Sequence, residues 1–496
     1  MSSENLPANP ARPSLLKNWL SMSGLVIVIG SLFSTLLLFG MDMMASAPNP
    51  YVGILTYFVA PAFLIFGLML TAIGALRERK KLGESIGFLP KMVVDLSRPR
   101  DRKIMGIFLT CSVFFLLLSA IGSYHTYHFT ESVTFCGQAC HTVMKPELVT
   151  YQYGSHARVA CVECHIGRGA TWFVKSKLSG TYQLYATAFN KYPTPVPTPI
   201  KNLRPAQETC ETCHWPKKFV GNLDRTYSYF LSDETNTPFT VRMVMKVGGA
   251  DPSHGPVGGI HWHMNVGNKV QYLATDEARQ KIPWIRSVDA QGVVTEYRKN
   301  NFTNVIDEAS VRTMDCMDCH NRPAHTYKTP NAAVNLAMSL GRIDRSLPFI
   351  KSNAVYALTL SYTNETQALQ RIATSLSQAY SPEKFPAAQE SVKSTISTVQ
   401  GIFQENFFPE MKASWKAYPN NIGHKDWPGC FRCHDGEHKS SDGKKSIRAN
   451  DCNSCHTILT QGSGAELDLL TPAGQKFKHP GDEVDGACND CHTGGL

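Results

Sequence analysis

The first 125 residues alternate between long apolar runs and short polar links. Three runs, Trp19–Met41, Tyr51–Leu76 and Ile104–Tyr124, each hold 21–26 residues without a charged side chain, long enough to cross a bilayer as helices. Pro61, inside the second run, is tolerated in a membrane helix and can kink it. The 41–50 link has no Lys or Arg, whereas nine lie between Arg77 and Lys103. Because basic links stay on the cytoplasmic side, the pattern predicts a three-pass anchor over 1–124, with the N-terminus inside and the rest of the chain delivered outside. Ala45-Ser46-Ala47 resembles a signal-peptide cleavage site, but the run before it is about twice the usual length for such a peptide. A retained anchor is expected.

Beyond residue 125 the apolar period shortens. Thr240–Val247 alternates Val241, Met243, Met245 and Val247 with Arg242 and Lys246, the pattern of a half-buried strand. Thr363–Tyr380 carries Leu369, Ile372, Ala373 and Leu376 at helical spacing behind a Thr/Asn start, which predicts an amphipathic helix. Residues 331–415 read as a mostly helical insert, either a shielding wall or a docking surface. Tyr192–Pro199, with proline at every second position, reads as an extended polyproline-like strap.

Composition changes the picture through the cysteines. At 43% hydrophobic and 18% charged residues the chain is a folded protein. Its 15 cysteines are too sparse for a disulfide scaffold. Fourteen fall into seven copies of one motif. Motif 1 is Cys136-Gly-Gln-Ala-Cys140-His141, with one residue more than the others. Motifs 2 to 7 read Cys-x-x-Cys-His: Cys161/Cys164/His165, Cys210/Cys213/His214, Cys316/Cys319/His320, Cys430/Cys433/His434, Cys452/Cys455/His456 and Cys488/Cys491/His492. Cys111 is left over inside an apolar run and reads as packing. This spacing is that of covalent c-type haem attachment: two thiols reach the vinyl groups on one porphyrin edge and the next residue turns its imidazole onto the iron. Zinc would not require a histidine directly after every cysteine pair, and a redox dithiol would not recur seven times in one chain. Such haem attachment occurs outside the inner membrane, in agreement with the charge pattern.

The expected fold class is therefore a membrane-anchored multihaem cytochrome c, with three transmembrane helices (19–41, 51–76, 104–124) and a mostly α/irregular periplasmic haem domain with few short strands. Motif spacing suggests segments 125–215 with haems 1–3, 216–330 with haem 4, 331–420 without haem, and 421–496 with haems 5–7. The formal charge of +9 is offset by the propionates of seven haems, and no basic–aromatic pattern points to nucleic acid.

Ten of the 17 histidines lie outside the motifs, nearly one per haem, as six-coordinate electron carriers require. His156 precedes motif 2, His325 follows motif 4, His424 and His438 bracket motif 5, and His479 precedes motif 7. These five are the foremost distal candidates. His261 and His263 in Gly-Ile-His-Trp-His should supply at least one more ligand, and His254 is in reserve. His125 and His128 lie where the third span ends and read as structural or functional alike. Met144, close after motif 1, is a candidate thioether ligand or a packing residue.

Phe135-Cys136…Cys140-His141…Met144, Ser155-His156, Cys161-Val-Glu-Cys164-His165 and Trp172-Phe-Val-Lys175-Ser-Lys177 resemble the NapC/NirT/NrfH family of membrane-anchored quinol-dehydrogenase cytochromes. The whole chain is similar to heptahaem inner-membrane cytochromes of metal-reducing bacteria. The resemblance implies oxidation of menaquinol at the outer membrane–water interface beside the first haem, with electrons passed to periplasmic multihaem cytochromes. It also implies a lysine at the quinol pocket, matched by Lys177, twelve residues past His165, with Lys175 the alternative. The chain departs from the family in its extended motif 1, the shifted Met144, three spans in place of one, and seven haems in place of four or five. Quinol gives up protons as well as electrons, so Lys177, Lys175, His125, His128 and Glu131 are the nearby acid–base candidates; as a plainer alternative, both lysines snorkel from an amphipathic helix. Other readings are an anchor-and-wire subunit of a larger complex, or a reductase of nitrite, hydroxylamine or a sulfur oxyanion with one open iron. Replacing both Cys136 and Cys140 by Ala should remove roughly one seventh of the pyridine haemochrome absorbance per protein; an unchanged haem count would show that motif 1 is not an attachment site.

Overall fold

The computed structural model describes residues 18–44, 56, 59–81, 96–139, 141–166, 170–200, 203–215, 221–248, 258–264, 267–448, 452–481 and 486–495. The chain divides into two units, Met1–His141 and Thr142–Leu496.

In the first unit, helices α1 (Trp19–Met44) and α2 (Ala60–Lys81) pack together. Small residues let the backbones approach: a Cβ on Gly67 would lie 2.9 Å from the Gly24 carbonyl, and one on Gly74 would strike Ser21. Polar side chains then bridge the pair, with Asn18 Nδ2 donating to the Gly74 carbonyl at 3.1 Å and Ser21 Oγ to the Thr71 carbonyl at 3.2 Å. Ser31 Oγ likewise donates to the Ala60 carbonyl. Close small-residue contact with side-chain hydrogen bonds is how helices associate in lipid. Outward, Val26, Ile29, Phe33, Phe63, Ile65 and Leu68 are exposed, an apolar surface that water would penalise.

Among the described residues two helices, Trp19–Gly40 and Ala60–Lys81, are long and apolar enough to cross a membrane, against the three expected. The second helix runs on past Leu76 through Arg77, Arg79, Lys80 and Lys81, so part of the basic link is helical. The expected third span, Ile104–Tyr124, falls within one helix, α3 (Pro99–Thr130), several of whose side chains lie outside the described residues. So do 45–55 and 82–95, with the possible cleavage site and Lys91. After α3, Ser132 donates to the Phe129 carbonyl and accepts from Phe135 N–H at 3.1 Å. It thereby caps α4 (Val133–Gln138), which carries Cys136.

In the second unit, α5 (His141–Gln152), α6 (Cys161–His165), α7 (Ala170–Ala188) and α8 (Ala206–Cys210) come first. Strands β1 (Leu223–Phe230), β2 (Pro238–Met245), β3 (Lys269–Leu273), β4 (Trp284–Val288), β5 (Val294–Lys299) and β6 (Arg312–Thr313) follow. Next are α9 (Cys316–Cys319), α10 (Pro330–Ser339), α11 (Ile350–Thr359), α12 (Glu365–Ala379) and α13 (Gln389–Asn406), and then β7 (His438–Ser440), β8 (His456–Gly462) and α14 (Cys488–Cys491). The strands form two antiparallel sheets, ordered β1-β2-β8 and β6-β3-β4-β5-β7. The unit is thus mixed, helical and irregular chain with two small sheets of short strands. Besides β2, β3 alternates, burying Val270 and Tyr272 between Lys269 and Gln271.

The main core lies in α10–α13. On α12, Ala368, Ile372 and Leu376 are buried four residues apart, and Asn364 caps the helix by accepting from Gln367 N–H at 2.8 Å. They pack with Val334, Val355, Val399 and Phe403. Motif 7 is tied to this core from the chain's other end: Trp415 Nε1 donates to the Thr493 carbonyl at 3.0 Å, and Asn331 N–H to the Gly494 carbonyl at 3.1 Å. Ile372→Ala should cost about 2–5 kcal/mol, seen as a lower unfolding midpoint by far-ultraviolet circular dichroism with haem content unchanged. Loss of haem before loss of helix would contradict a self-supporting core.

Candidate functional site: paired histidines at the cysteine motifs

Most of the motifs open on a short turn of helix. In motif 4, Asp315 caps α9 by accepting from Met317 N–H at 2.8 Å, and Asp318 returns the bond by accepting from Asp315 N–H at 2.7 Å. The turn keeps both cysteines on one side and brings the following histidine round. Motif 3 departs from this pattern. Helix α8 ends at Cys210, and Cys213 sits in the turn beyond it, where its N–H and that of His214 both donate to the Cys210 carbonyl, at 3.2 and 2.7 Å. Cys213 is exposed, with the Thr212 hydroxyl 3.9 Å from its sulfur. Cys319, Cys430, Cys455 and Cys491 are exposed as well. The chemistry accounts for this, because a thioether forms only where a vinyl group can reach the sulfur.

The twelve cysteines whose side chains are described are thiols outside any disulfide, available for thioether bonds. The motifs also touch each other. Helix α8 of motif 3 packs on α6 of motif 2 and on α9 of motif 4. The interaction of the Cys210 and Cys316 thiols holds Cys210 well above the usual range and lowers Cys316. Burial pushes the Cys433 thiol up to about 12.

Six motif histidines each face a second imidazole. The ring centres are 6.3 Å apart for His165 and His325, 6.0 Å for His214 and His156, and 6.3 Å for His320 and His261. They are 5.8 Å apart for His434 and His263, 6.2 Å for His456 and His424, and 6.0 Å for His492 and His479. A metal–nitrogen bond of about 2 Å, plus about 1.1 Å from nitrogen to ring centre, puts two imidazoles on opposite sides of one ion roughly 6.2 Å apart. The residues fit a six-coordinate haem iron at each pair.

The distal rings are held in place. His325 Nδ1 lies 2.9 Å from the Glu147 carbonyl and 3.1 Å from the Glu147 carboxylate. His156 Nδ1 lies 2.8 Å from the Pro323 carbonyl, and His263 Nδ1 2.9 Å from the Ile260 carbonyl. A proton donated from Nδ1 fixes the tautomer and leaves Nε2 as the metal ligand. Desolvation keeps motif rings neutral, the form that binds a metal. It lowers His165 to about 4, helped by His325, and lowers His320, His434, His456 and His492 as well. His165 and His320 are nonetheless open to solvent on one side.

The pairing does not follow chain order. His156 faces His214 of motif 3 although it precedes motif 2, and His325 faces His165 of motif 2 although it follows motif 4. His424 faces motif 6 although it lies beside motif 5. Gly429, at φ +51°, allows the turn that brings these together, since a Cβ there would strike the Gly423 carbonyl. His438 is corrected from distal ligand to structural residue. It is fully buried, with Nδ1 2.8 Å from Asp435 Oδ1 and Nε2 2.8 Å from the Ile282 carbonyl, so neither nitrogen is left for iron. His254 and Cys140 lie outside the described residues, as do the side chains of His141 and Cys452. His125 and His128 are exposed near the end of α3, where the His128 ring packs 4.4 Å from Tyr124. Met144 is half-buried on α5. On α7, Lys175 is exposed with its Nζ 4.7 Å from the Trp172 ring centre, and Lys177 is half-buried.

A cavity of about 900 Å³ opens beside motif 5, lined by His434, Arg432, Phe431, Phe302, Lys281 and, from motif 7, Ala487. That volume suits a bound cofactor. The NapC/NirT cytochrome c family, N-terminal region, matches residues 98–208. The chain is 40% identical over 494 residues to the cytochrome c-type protein ImcH of Geobacter sulfurreducens, covering 96% of this chain and 95% of that protein. The chain belongs to the NapC/NirT cytochrome c family. No solved structure matches it. As a NapC/NirT cytochrome it is a membrane-anchored electron-transport protein carrying covalently bound haem c. In this NapC/NirT chain, His325→Ala should convert one haem from low-spin to high-spin in the oxidised spectrum, whereas His438→Gln should leave the spin state unchanged. A high-spin haem in His438→Gln would restore His438 as a ligand.

Proposed function

We propose that the chain is an inner-membrane menaquinol-oxidising cytochrome with seven haems, which passes electrons to periplasmic multihaem cytochromes. The six opposed imidazole pairs carry this reading, because two nitrogen ligands on each iron leave no position for a substrate and suit electron carriage. That observation favours transfer over a nitrite, hydroxylamine or sulfur-oxyanion reductase. When bound, the haems supply one-electron carriage. The protein's residues would hold six of the irons, at motifs 2–7, between two imidazoles and keep neighbouring motifs in contact.

The anchor is three-pass in this reading, with the basic stretch from Arg77 to Lys103 in the cytoplasm and motifs 1–7 in the periplasm. Motif 1, with His141 and either Met144 or another residue on its iron, starts within about a dozen residues of the third span and so sits where a lipid-soluble quinol arrives. Supporting a bilayer contact, α7 exposes Leu178, Tyr182, Tyr185 and, just past its end, Phe189. These residues recur at helical spacing, and Lys191 Nζ donates to the Tyr185 hydroxyl at 2.8 Å. An exposed aromatic stripe with lysines suits the headgroup region.

Lys177, matched by spacing to the family's quinol lysine, is proposed to exchange a hydrogen bond or proton with the quinol, with Lys175 the alternative. Two residues apart on α7, they point about 200° apart and only one can face a pocket. Lys177→Ala should slow quinol-driven haem reduction about 10²–10⁴-fold while leaving reduction by dithionite intact, and Lys175→Ala should be milder. Equal, small effects from both would move the proton acceptor to His125, His128 or Glu131.

A further inference from the structure

Motifs 4 and 5 are 114 residues apart in the chain, counted between their histidines, yet they are joined on both sides. On the distal side one 3-10 turn, Ile260–Met264, carries His261 facing His320 and His263 facing His434. On the proximal side the join is made by the residues between the motif cysteines themselves. Motif 4 is Cys316-Met317-Asp318-Cys319-His320 and motif 5 is Cys430-Phe431-Arg432-Cys433-His434.

Arg432 is buried, 8% exposed. Its Nη2 donates to the Asp318 carbonyl at 2.7 Å, its Nη1 to the Arg279 carbonyl at 2.8 Å, and its Nε to the Gly429 carbonyl at 2.9 Å. The planar guanidinium thus spans motif 5, motif 4 and the loop before β4, a geometry lysine cannot reproduce. The Asp318 carboxylate, also buried, accepts from the Tyr272 hydroxyl at 2.6 Å, Arg312 Nε at 2.9 Å and Arg279 Nη1 at 3.1 Å. Asn421 Nδ2 adds a bond to the Asp318 carbonyl at 3.0 Å. Three arginines therefore meet two carboxylates, Asp315 and Asp318, and one positive charge is left over in a cluster whose Arg432 and Asp318 are buried and whose Arg279, Arg312 and Asp315 are half-buried. In a low-dielectric setting such a charge favours the reduced, less positive state of a nearby iron.

We propose that Arg432 and Asp318 are positioning residues that clamp motif 4 to motif 5. The clamp fixes the spacing of the two haems and raises their reduction potentials, so that the pair forms the junction between the amino-terminal motifs and the carboxy-terminal three. A role in fold stability alone would leave potentials and interhaem geometry unchanged once the protein is folded. The inference rests on motifs 4 and 5 each holding a haem, which the haem count of the unaltered protein checks separately.

The test uses the full-length, haem-loaded protein with Arg432→Met, Arg432→Lys and Asp318→Asn. Haem content, Soret-region circular dichroism (which reports coupling between close haems) and potentiometric titration are measured for each. Arg432→Met should keep its haems, alter the Soret couplet, and shift the reduction equilibrium of two haems about tenfold toward oxidised, or about 59 mV for one electron. Arg432→Lys should recover the potentials but not the couplet. Asp318→Asn should shift the potentials the other way, because it removes a negative charge. A fully haem-loaded Arg432→Met with unchanged couplet and potentials overturns the proposal. If that variant fails to load haem, unchanged potentials in Asp318→Asn overturn it. A missing haem at motif 4 or 5 in the unaltered protein would instead defeat the reading on which the inference rests.

Discussion

The structure of the second unit depends on one requirement: the histidines of motifs 2–7 each have to meet a second imidazole across a gap of about two metal–nitrogen bonds. A motif supplies its two thiols and one imidazole locally, within a single turn of chain. The opposing imidazole comes from elsewhere in the chain, and the fold is what delivers it. His325 reaches back 160 residues to His165, while His261 and His424 reach forward 59 and 32 residues to His320 and His456. These crossings interlock the segments that carry motifs 2 to 6, whereas motif 7 takes its ligand locally, His479 lying 13 residues before His492.

Much of the unit can be understood as support for those crossings. Glu147 holds His325 from α5, and its carboxylate also lies 3.1 Å from the Tyr327 hydroxyl. Sheet β1-β2-β8 places motif 6, whose Cys455 carbonyl accepts from Lys246 N–H at 2.8 Å. The second sheet positions Tyr272 and Arg312 around Asp318 and buries His438 against Ile282. The helical insert has a core of its own and receives the motif 7 tail through Trp415 and Asn331.

What was legible in the sequence follows from the range of the interaction. Motif chemistry is set by residues within five positions of one another, so the cysteines and their histidines could be read directly. How far the fold encloses each thiol is not local, and the exposure of Cys213 beyond the end of α8 has no counterpart in the spacing of its motif. The α12 helix has a 3.6-residue period and a capping Asn364, both local, and it lies within about two residues of the expected bounds. Ligand pairing is a long-range property. His156 sits next to motif 2 and goes to motif 3, and proximity in the chain gives no hint of that. His438 lies as close to motif 5 as a ligand should, but Asp435 and the Ile282 carbonyl claim both nitrogens. The closest thing to a sequence signal for the clamp was an aspartate and an arginine lying between cysteines of different motifs. Nothing local showed that these two motifs are neighbours.

The most direct test is quantitative electron paramagnetic resonance on the oxidised full-length protein at low temperature, normalised to total haem. Six low-spin haems with two imidazole ligands each are predicted for motifs 2 to 7, with motif 1 set apart by its own ligands. High-spin signal from two or more haems per protein, growing when nitrite or hydroxylamine is withheld and collapsing when it is added, would contradict the account and point to a substrate-binding iron.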